Sequence, residues 1–306
     1  MKRSLVVLAQ LLVLLAFGWA IEHWWGFSRL LEPWAAVPMA LVLLVVLAQL
    51  GSYSLRALRI YLAEPAIPRG AWLACLRLIL LNNALNLLLP ARTGEASFPL
   101  LLKRWFGIDL ARGTGTLLWL RLLDLNVLAA LAAAVLGPTL WAAPGAGGWR
   151  VLALLIAGLP LLAPTVQAYL RRALAGHDHK GARLVTQMLN GVPVRATQVR
   201  LDLLLTWSAW SLKLAALAAV FALLAGLAPS TALLGAIGGD LSTVLPIHTP
   251  GGFGTYEAGV IALVSPITAP SAALLAAAVN LHLLVLGVAL GAGALAWLGR
   301  RDPVRQ

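Results

Sequence analysis

Asn82-Asn83-Ala84-Leu85-Asn86-Leu87-Leu88-Leu89-Pro90-Ala91-Arg92-Thr93-Gly94-Glu95 lies inside an apolar stretch that runs from 71 to 102. Pro90 lacks an N–H and disfavours helix at Leu89, so the stretch breaks there. A helix restarting near Thr93 turns free N–H groups and a positive dipole end toward its surroundings. With Arg92 beside it, the break is a candidate anion site. The competing reading is a local Arg92–Glu95 ion pair that only holds the segment together. Asn82, Asn83 and Asn86 precede the break at spacings of three and four, which puts them on one helix face.

A second stretch, 231–266, is broken in the same way by Pro246-Ile247-His248-Thr249-Pro250-Gly251-Gly252. The two breaks echo each other: Leu89-Pro90 followed by Gly94-Glu95, and Leu245-Pro246 followed by Gly254 and Glu257. Gly251, Gly252 and Gly254 permit close backbone approach. Asp240, His248 and Glu257 surround them. As a class, a lone histidine is more often packed than functional; the company of His248 makes it a candidate.

Outward from the breaks the chain is apolar. It is 61% hydrophobic and 11% charged over 306 residues, with mean hydropathy +0.89. Soluble domains carry about 25% charged residues. Runs at 5–21, 37–50, 125–136, 151–162, 214–227 and 272–298 approach the ~20 residues that span a bilayer as helix. They lack the alternation of barrel strands. Residues 18–20 resemble a signal-peptidase site, but the run before them is long and aromatics follow it, which favours a retained helix. The net charge of +12 fits cytoplasmic loops rather than nucleic acid. Cys75 stands alone, excluding an intramolecular disulfide and a Cys-rich metal site, and reads as packing.

Positive charges collect at Lys2 and Arg3, at Arg56, Arg59 and Arg69 after helix two, at Lys103, Arg104 and Arg112, along 171–200, and at Arg300, Arg301 and Arg305. This bias puts both termini and the basic 171–200 loop in the cytoplasm. That loop is also suited to an anionic leaflet. With these sides fixed, 71–102 and 231–266 must each return to the side they came from. The expectation is an all-α polytopic membrane domain over 1–306. It has about six full transmembrane helices and two re-entrant helical hairpins. The halves, about 4–136 and 150–298, form an inverted-topology repeat with a site near the midplane. The alternative is that the broken segments simply cross, giving eight or more ordinary spans.

Charged groups inside such a domain face a cavity or a partner. Arg121 and Asp124, three apart, can pair with each other, or Asp124 with Arg92. Lys213 interrupts 203–227 and could meet Glu257, Glu95 or a lipid phosphate, or snorkel. Gly238-Gly239-Asp240 is an imperfect match to an intramembrane aspartyl protease motif and has no partner aspartate motif. His177 and His179 read as solvated loop residues. No Walker loop is present, and no cofactor or metal is expected.

These residues resemble the lysylphosphatidylglycerol synthase transmembrane-region family. Asn82-Asn83 with 89–95 is similar to its first signature, and 245–257 to its second. Arg121-Leu122-Leu123-Asp124 matches a third, and Arg56-Ala57-Leu58-Arg59 a looser basic pattern. Leu120 stands where an acidic residue often precedes that Arg, and His248 adds a titratable group. The family includes the flippase half of bacterial multiple-peptide-resistance factors. It also includes stand-alone relatives linked to hopanoid, glycolipid or polyprenol-lipid pathways. The resemblance implies a lipid-translocating scaffold in the bacterial inner membrane. Lysine transfer belongs to a separate soluble domain and is not implied. Arg92 would hold a phosphate, and Asn82, Asn83 and Asn86 polar head-group atoms. Glu95, Glu257 or Asp240 would attract an amine. Candidate partners are a membrane lipid (phospholipid, glycolipid, or polyprenyl or hopanoid lipid), a lipid-synthesis enzyme and a second copy of the chain. A non-catalytic membrane partner of lipid-modifying enzymes and an intramembrane lipid-modifying enzyme are the alternative functions.

Overall fold

The computed structural model describes residues 18–19, 22–23, 26–140, 146–177, 179–244 and 249–299; at 90–92, 138–140, 146 and 250 it describes the backbone alone. Regular structure among these residues is helical throughout. Phe27–Leu31 (α1) leads through a 3-10 turn to Met39–Ala63 (α2). Trp72–Leu88 (α3), a 3-10 segment Pro90–Ala96 and Ser97–Phe106 (α4) follow, then Leu110–Leu140 (α5). The second half runs Ala146–Gly158 (α6), Ala163–Leu174 (α7), Lys180–Leu189 (α8) and Ala196–Ala225 (α9). It closes with Pro229–Val244 (α10), a short turn at Pro250–Gly252, Thr255–Val264 (α11) and Ala272–Leu298 (α12).

Five helices are long and apolar enough to cross a membrane: Met39–Ala63, Leu110–Gly137, Gly147–Leu174, Ala196–Ala225 and Ala272–Leu298. They correspond to five of the six expected spans. The first expected span, apart from residues 18–19, lies outside the described residues. Leucines such as Leu47, Leu154 and Leu155 point outward from these helices, as they do where the solvent is hydrocarbon. The chain is a polytopic, membrane-embedded protein.

The two broken stretches differ from the spans. Trp72–Leu88 has 17 residues and Pro229–Val244 has 16, about 25 Å of helix each at 1.5 Å per residue. Their partners α4 and α11 have 10 residues each. Leu89 is extended, with ψ 139°, as the residue before a proline should be. At the second break Gly251, Gly252 and Gly254 all have positive φ, between 67° and 82°, which only glycine adopts freely. The two breaks touch each other.

Packing exchanges elements between the halves. α2 lies along α9, α3 packs on α12, and α10 packs on α5. α10 and α11 meet at Gly238 and Gly259. A Cβ on either would come well inside van der Waals contact distance of the other's carbonyl oxygen. The Gly238-Gly239-Asp240 run therefore serves close helix contact. Cys75 is fully buried, as expected of a packing residue. The basic 171–200 stretch is more ordered than a loop: it holds the end of α7 and the whole of α8, which packs on α5. His179 caps α8, its Nδ1 accepting from the Ala182 amide at 3.1 Å.

Gly259→Val should lower stability by about 2 kcal/mol, because a branched side chain cannot fit without separating the arms. Gly287→Ala, whose Cβ meets nothing within 4 Å, should be neutral or stabilising. Thermal unfolding in detergent checks the pair.

Candidate functional site

The interior is polar where α2, α3, α5, α9 and α10 converge. Asp124 on α5 is 2% exposed and is approached from three sides. Arg59 lies 3.5 Å away, Arg56 4.0 Å and Arg121 3.6 Å. The Trp210 indole N–H donates to its Oδ1 at 3.1 Å. Arg59 also donates to the Thr206 hydroxyl. Arg121 reaches the first break, its Nε 3.0 Å from Glu95 Oε1. Buried charges on this scale persist only when paired and hydrogen-bonded.

Beside this knot, Lys213 on α9 binds Asp240 on α10 at 2.6 Å, and both are buried. The Trp210 ring lies near two cations, with the Arg56 guanidinium carbon 4.4 Å and the Lys213 ammonium 5.3 Å from its centroid. Cations so placed are attracted to the indole ring.

Between these groups is a cavity of about 90 Å³. Asn83, Asn86, Arg121, Lys213 and Asp240 line it, together with Tyr53, Arg56 and Trp210. Several buried polar atoms of these residues have no hydrogen-bond partner among the described residues: Asn83 Nδ2, Asn86 Oδ1, Arg56 Nε and Asp240 Oδ2. A neighbouring void of about 30 Å³ touches Arg59, Asn82 and Asp124. Such a concentration of unsatisfied groups calls for water or a polar ligand.

The expected residues fall into groups. Asn83, Asn86, Arg121, Lys213 and Asp240 come together. Asn82 is turned to structure: its Nδ2 donates to Ser97 Oγ at 2.9 Å and to Gly94 O at 3.3 Å, tying α3 to the break. Lys213 meets Asp240 rather than Glu257, Glu95 or solvent, because α10 packs along α9 and carries its carboxylate into reach. Glu257 is not among the residues lining the cavity. It accepts from the Gly254 amide at 2.7 Å and lies 2.8 Å from His282 Nδ1. Gly251 and Gly252 shape the second break through their positive φ. The Arg92 side chain and His248 lie outside what the structure describes.

Arg56 and Arg59 need correction. Both are helical residues of α2, two turns or less from its end at Ala63, not loop charges beyond it. Their spacing of three on a continuing apolar pattern was the available signal. His282, in α12, had none: it stacks on Tyr256 with ring centroids 4.4 Å apart and pairs with Glu257. At the helix ends, Glu64 pairs with Arg112 at 2.5 Å. Burial pushes the Glu64 carboxyl up from its usual range, and the Arg112 guanidinium pulls it back. Among the described residues no three His, Cys, Asp or Glu side chains are grouped to hold a metal.

Asp124→Asn should destabilise by about 3–5 kcal/mol, since it leaves the buried Arg59 and the neighbouring Arg56 without their anion, while Arg121 keeps Glu95. Adding Arg59→Gln should restore part of that loss. A double-mutant cycle on detergent unfolding measures the coupling.

No curated protein and no solved structure matches the chain. The family model of the lysylphosphatidylglycerol synthase TM region matches residues 6–293. That range takes in both breaks, the Asp124 knot and the Lys213–Asp240 pair, and the chain belongs to this family of membrane domains of lipid-related proteins.

Proposed function

We propose that this protein is a lipid translocase that moves a polar-headed lipid between leaflets, past two re-entrant hairpins, without chemically altering it. The observation that carries the reading is the charged cavity at the ends of α3 and α10 that lead into the breaks, lined by residues with polar atoms that lack partners among the described residues. A head group supplies both anions for Arg56, Arg121 and Lys213 and hydrogen-bond partners for Asn83 and Asn86. Its acyl chains stay in the bilayer. Arg92, which the sequence sets in the first break, is a further candidate cation for a phosphate.

The lengths of the arms support the re-entrant reading. Helices of 10 residues reach only about 15 Å, half of the ~30 Å hydrocarbon. The exchange of partners supports the inverted repeat. Hairpin one packs on the last helix of half two, hairpin two packs on the last helix of half one, and the second helices of the two halves lie together. A pseudo-two-fold axis produces this pattern. The Lys and Arg bias then favours a bacterial cytoplasmic membrane with both termini inside.

A cavity of about 90 Å³ has room for roughly three waters, not for a head group. Passage therefore requires the touching breaks to separate. In this scheme the structure corresponds to the closed form, and the ion pairs are the contacts exchanged for contacts with the head group.

Proteoliposomes carrying head-group-labelled lipids, with quencher added outside, test the proposal. Wild type should equilibrate at least one label between leaflets. Lys213→Met and Arg92→Ala should each slow it at least about tenfold, the equivalent of ~1.4 kcal/mol in the barrier, while remaining folded in detergent. No movement by folded wild type with any head group would sink the reading. A mass change in the lipid would redirect it to an intramembrane enzyme.

A further inference from the structure

A second cavity, separate from the charged one, opens along α5. It measures about 730 Å³ and is walled by α5, α6, α7 and α8, within the ~300–1,000 Å³ usual for ligand sites. It follows α5 from Gly115 to Ala129, about 21 Å of helix. Its walls are leucine, isoleucine and valine, with polar side chains only at Asn126 and Gln167 besides the Trp119 indole. The Trp119 N–H is already given to Asp202 at 2.9 Å.

Asn126 and Gln167 share an unusual condition. Each spends its amide N–H₂ on backbone: Asn126 donates to Ile156 O, and Gln167 to Leu189 O and Val192 O. Those bonds fix which end of each amide is oxygen. Both oxygens are buried, and neither has a donor among the described residues. The residues are 7% and 2% exposed. An acceptor left unmatched in an apolar cavity costs about 1–3 kcal/mol.

The other half of the molecule has the counterpart already filled. Asn280 on α12 donates to Leu30 O at 2.6 Å, much as Asn126 on α5 donates to Ile156 O. There the carbonyl oxygen has its donor, the Trp34 indole N–H at 2.9 Å. Trp34 is an apolar body carrying one hydrogen-bond donor. Among the described residues none plays this part beside Asn126, and the large cavity stands in its place.

We propose that this groove binds one lipid whose apolar body carries a hydroxyl, the hydroxyl donating to Asn126 Oδ1 as Trp34 does to Asn280. The apolar walls take the body and exclude charged head groups from the deep end. Gln167 Oε1, near the α8 end, is a second acceptor for a lipid with a further donor. The comparison of α5 with α12 rests on reading the halves as related. The binding claim does not require transport.

Equilibrium binding to purified full-length protein in detergent, with radiolabelled 1-hexadecanol, hexadecyl methyl ether and hexadecane, tests it. Wild type should bind the alcohol about tenfold more tightly than the ether or the alkane. Asn126→Leu should lose that preference while still binding all three. Leu122→Trp, which fills the groove from an exposed wall position and breaks no hydrogen bond, should lose binding of all three. Equal affinity for alcohol and ether in wild type would overturn the donor claim, and unchanged binding by Leu122→Trp would overturn the location. Neither result bears on head-group translocation through the charged cavity, which is read by a different assay.

Discussion

The Asp124 carboxylate, buried in the membrane domain and faced by Arg56, Arg59 and Arg121, is the constraint from which the rest of the arrangement follows. A lone carboxylate in low dielectric is prohibitively costly. Its partners come from α2 and from its own helix, and Trp210 of α9 supplies a hydrogen bond. Satisfying one charge therefore locks three long helices in register. Arg121 extends the lock to the first break through Glu95, and Trp210 links it to the Lys213–Asp240 pair.

This network is an unusual way to hold a membrane protein together. Packing of small residues stabilises helix contacts in lipid without charge, as where α10 meets α11 at Gly238 and Gly259. Replacing buried ion pairs with apolar residues is often neutral or stabilising. A network retained beside polar atoms that lack partners is better matched to a passing charged ligand than to stability. The apolar groove along α5 is chemically its opposite. In the proposed scheme the charged interior takes head groups and the groove a lipid body.

The spans were legible because their Leu- and Ala-rich runs admit little but helix in a membrane. The breaks were legible because Pro90 and the glycines at 251, 252 and 254 cannot continue one. Arg56 and Arg59 were misread because a cation at the end of an apolar run looks like a loop charge. α2 in fact continues to Ala63, which turns both guanidinium groups inward. Partner choice was harder still. Lys213 had several acids to choose from, and only the packing of α10 on α9 selects Asp240. His282 sits in an apolar run with nothing nearby in sequence to mark it, and its partner Glu257 is 25 residues away across a helix pair. The α5 groove left no sequence signal, because its sign is a missing donor rather than a present residue.

The central claim is that the two broken helices part to let a head group through the charged interior. Spin labels at Ala96, ending the first break, and Ala258, in the first turn of α11, are both exposed, and the single native cysteine, Cys75, is buried. Double electron–electron resonance between Ala96→Cys and Ala258→Cys in lipid nanodiscs reads their separation directly. The account predicts two distance populations, one matching the closed structure and one longer, whose ratio shifts with the lipid supplied. A single closed distance in every lipid, from protein that still translocates, would contradict it.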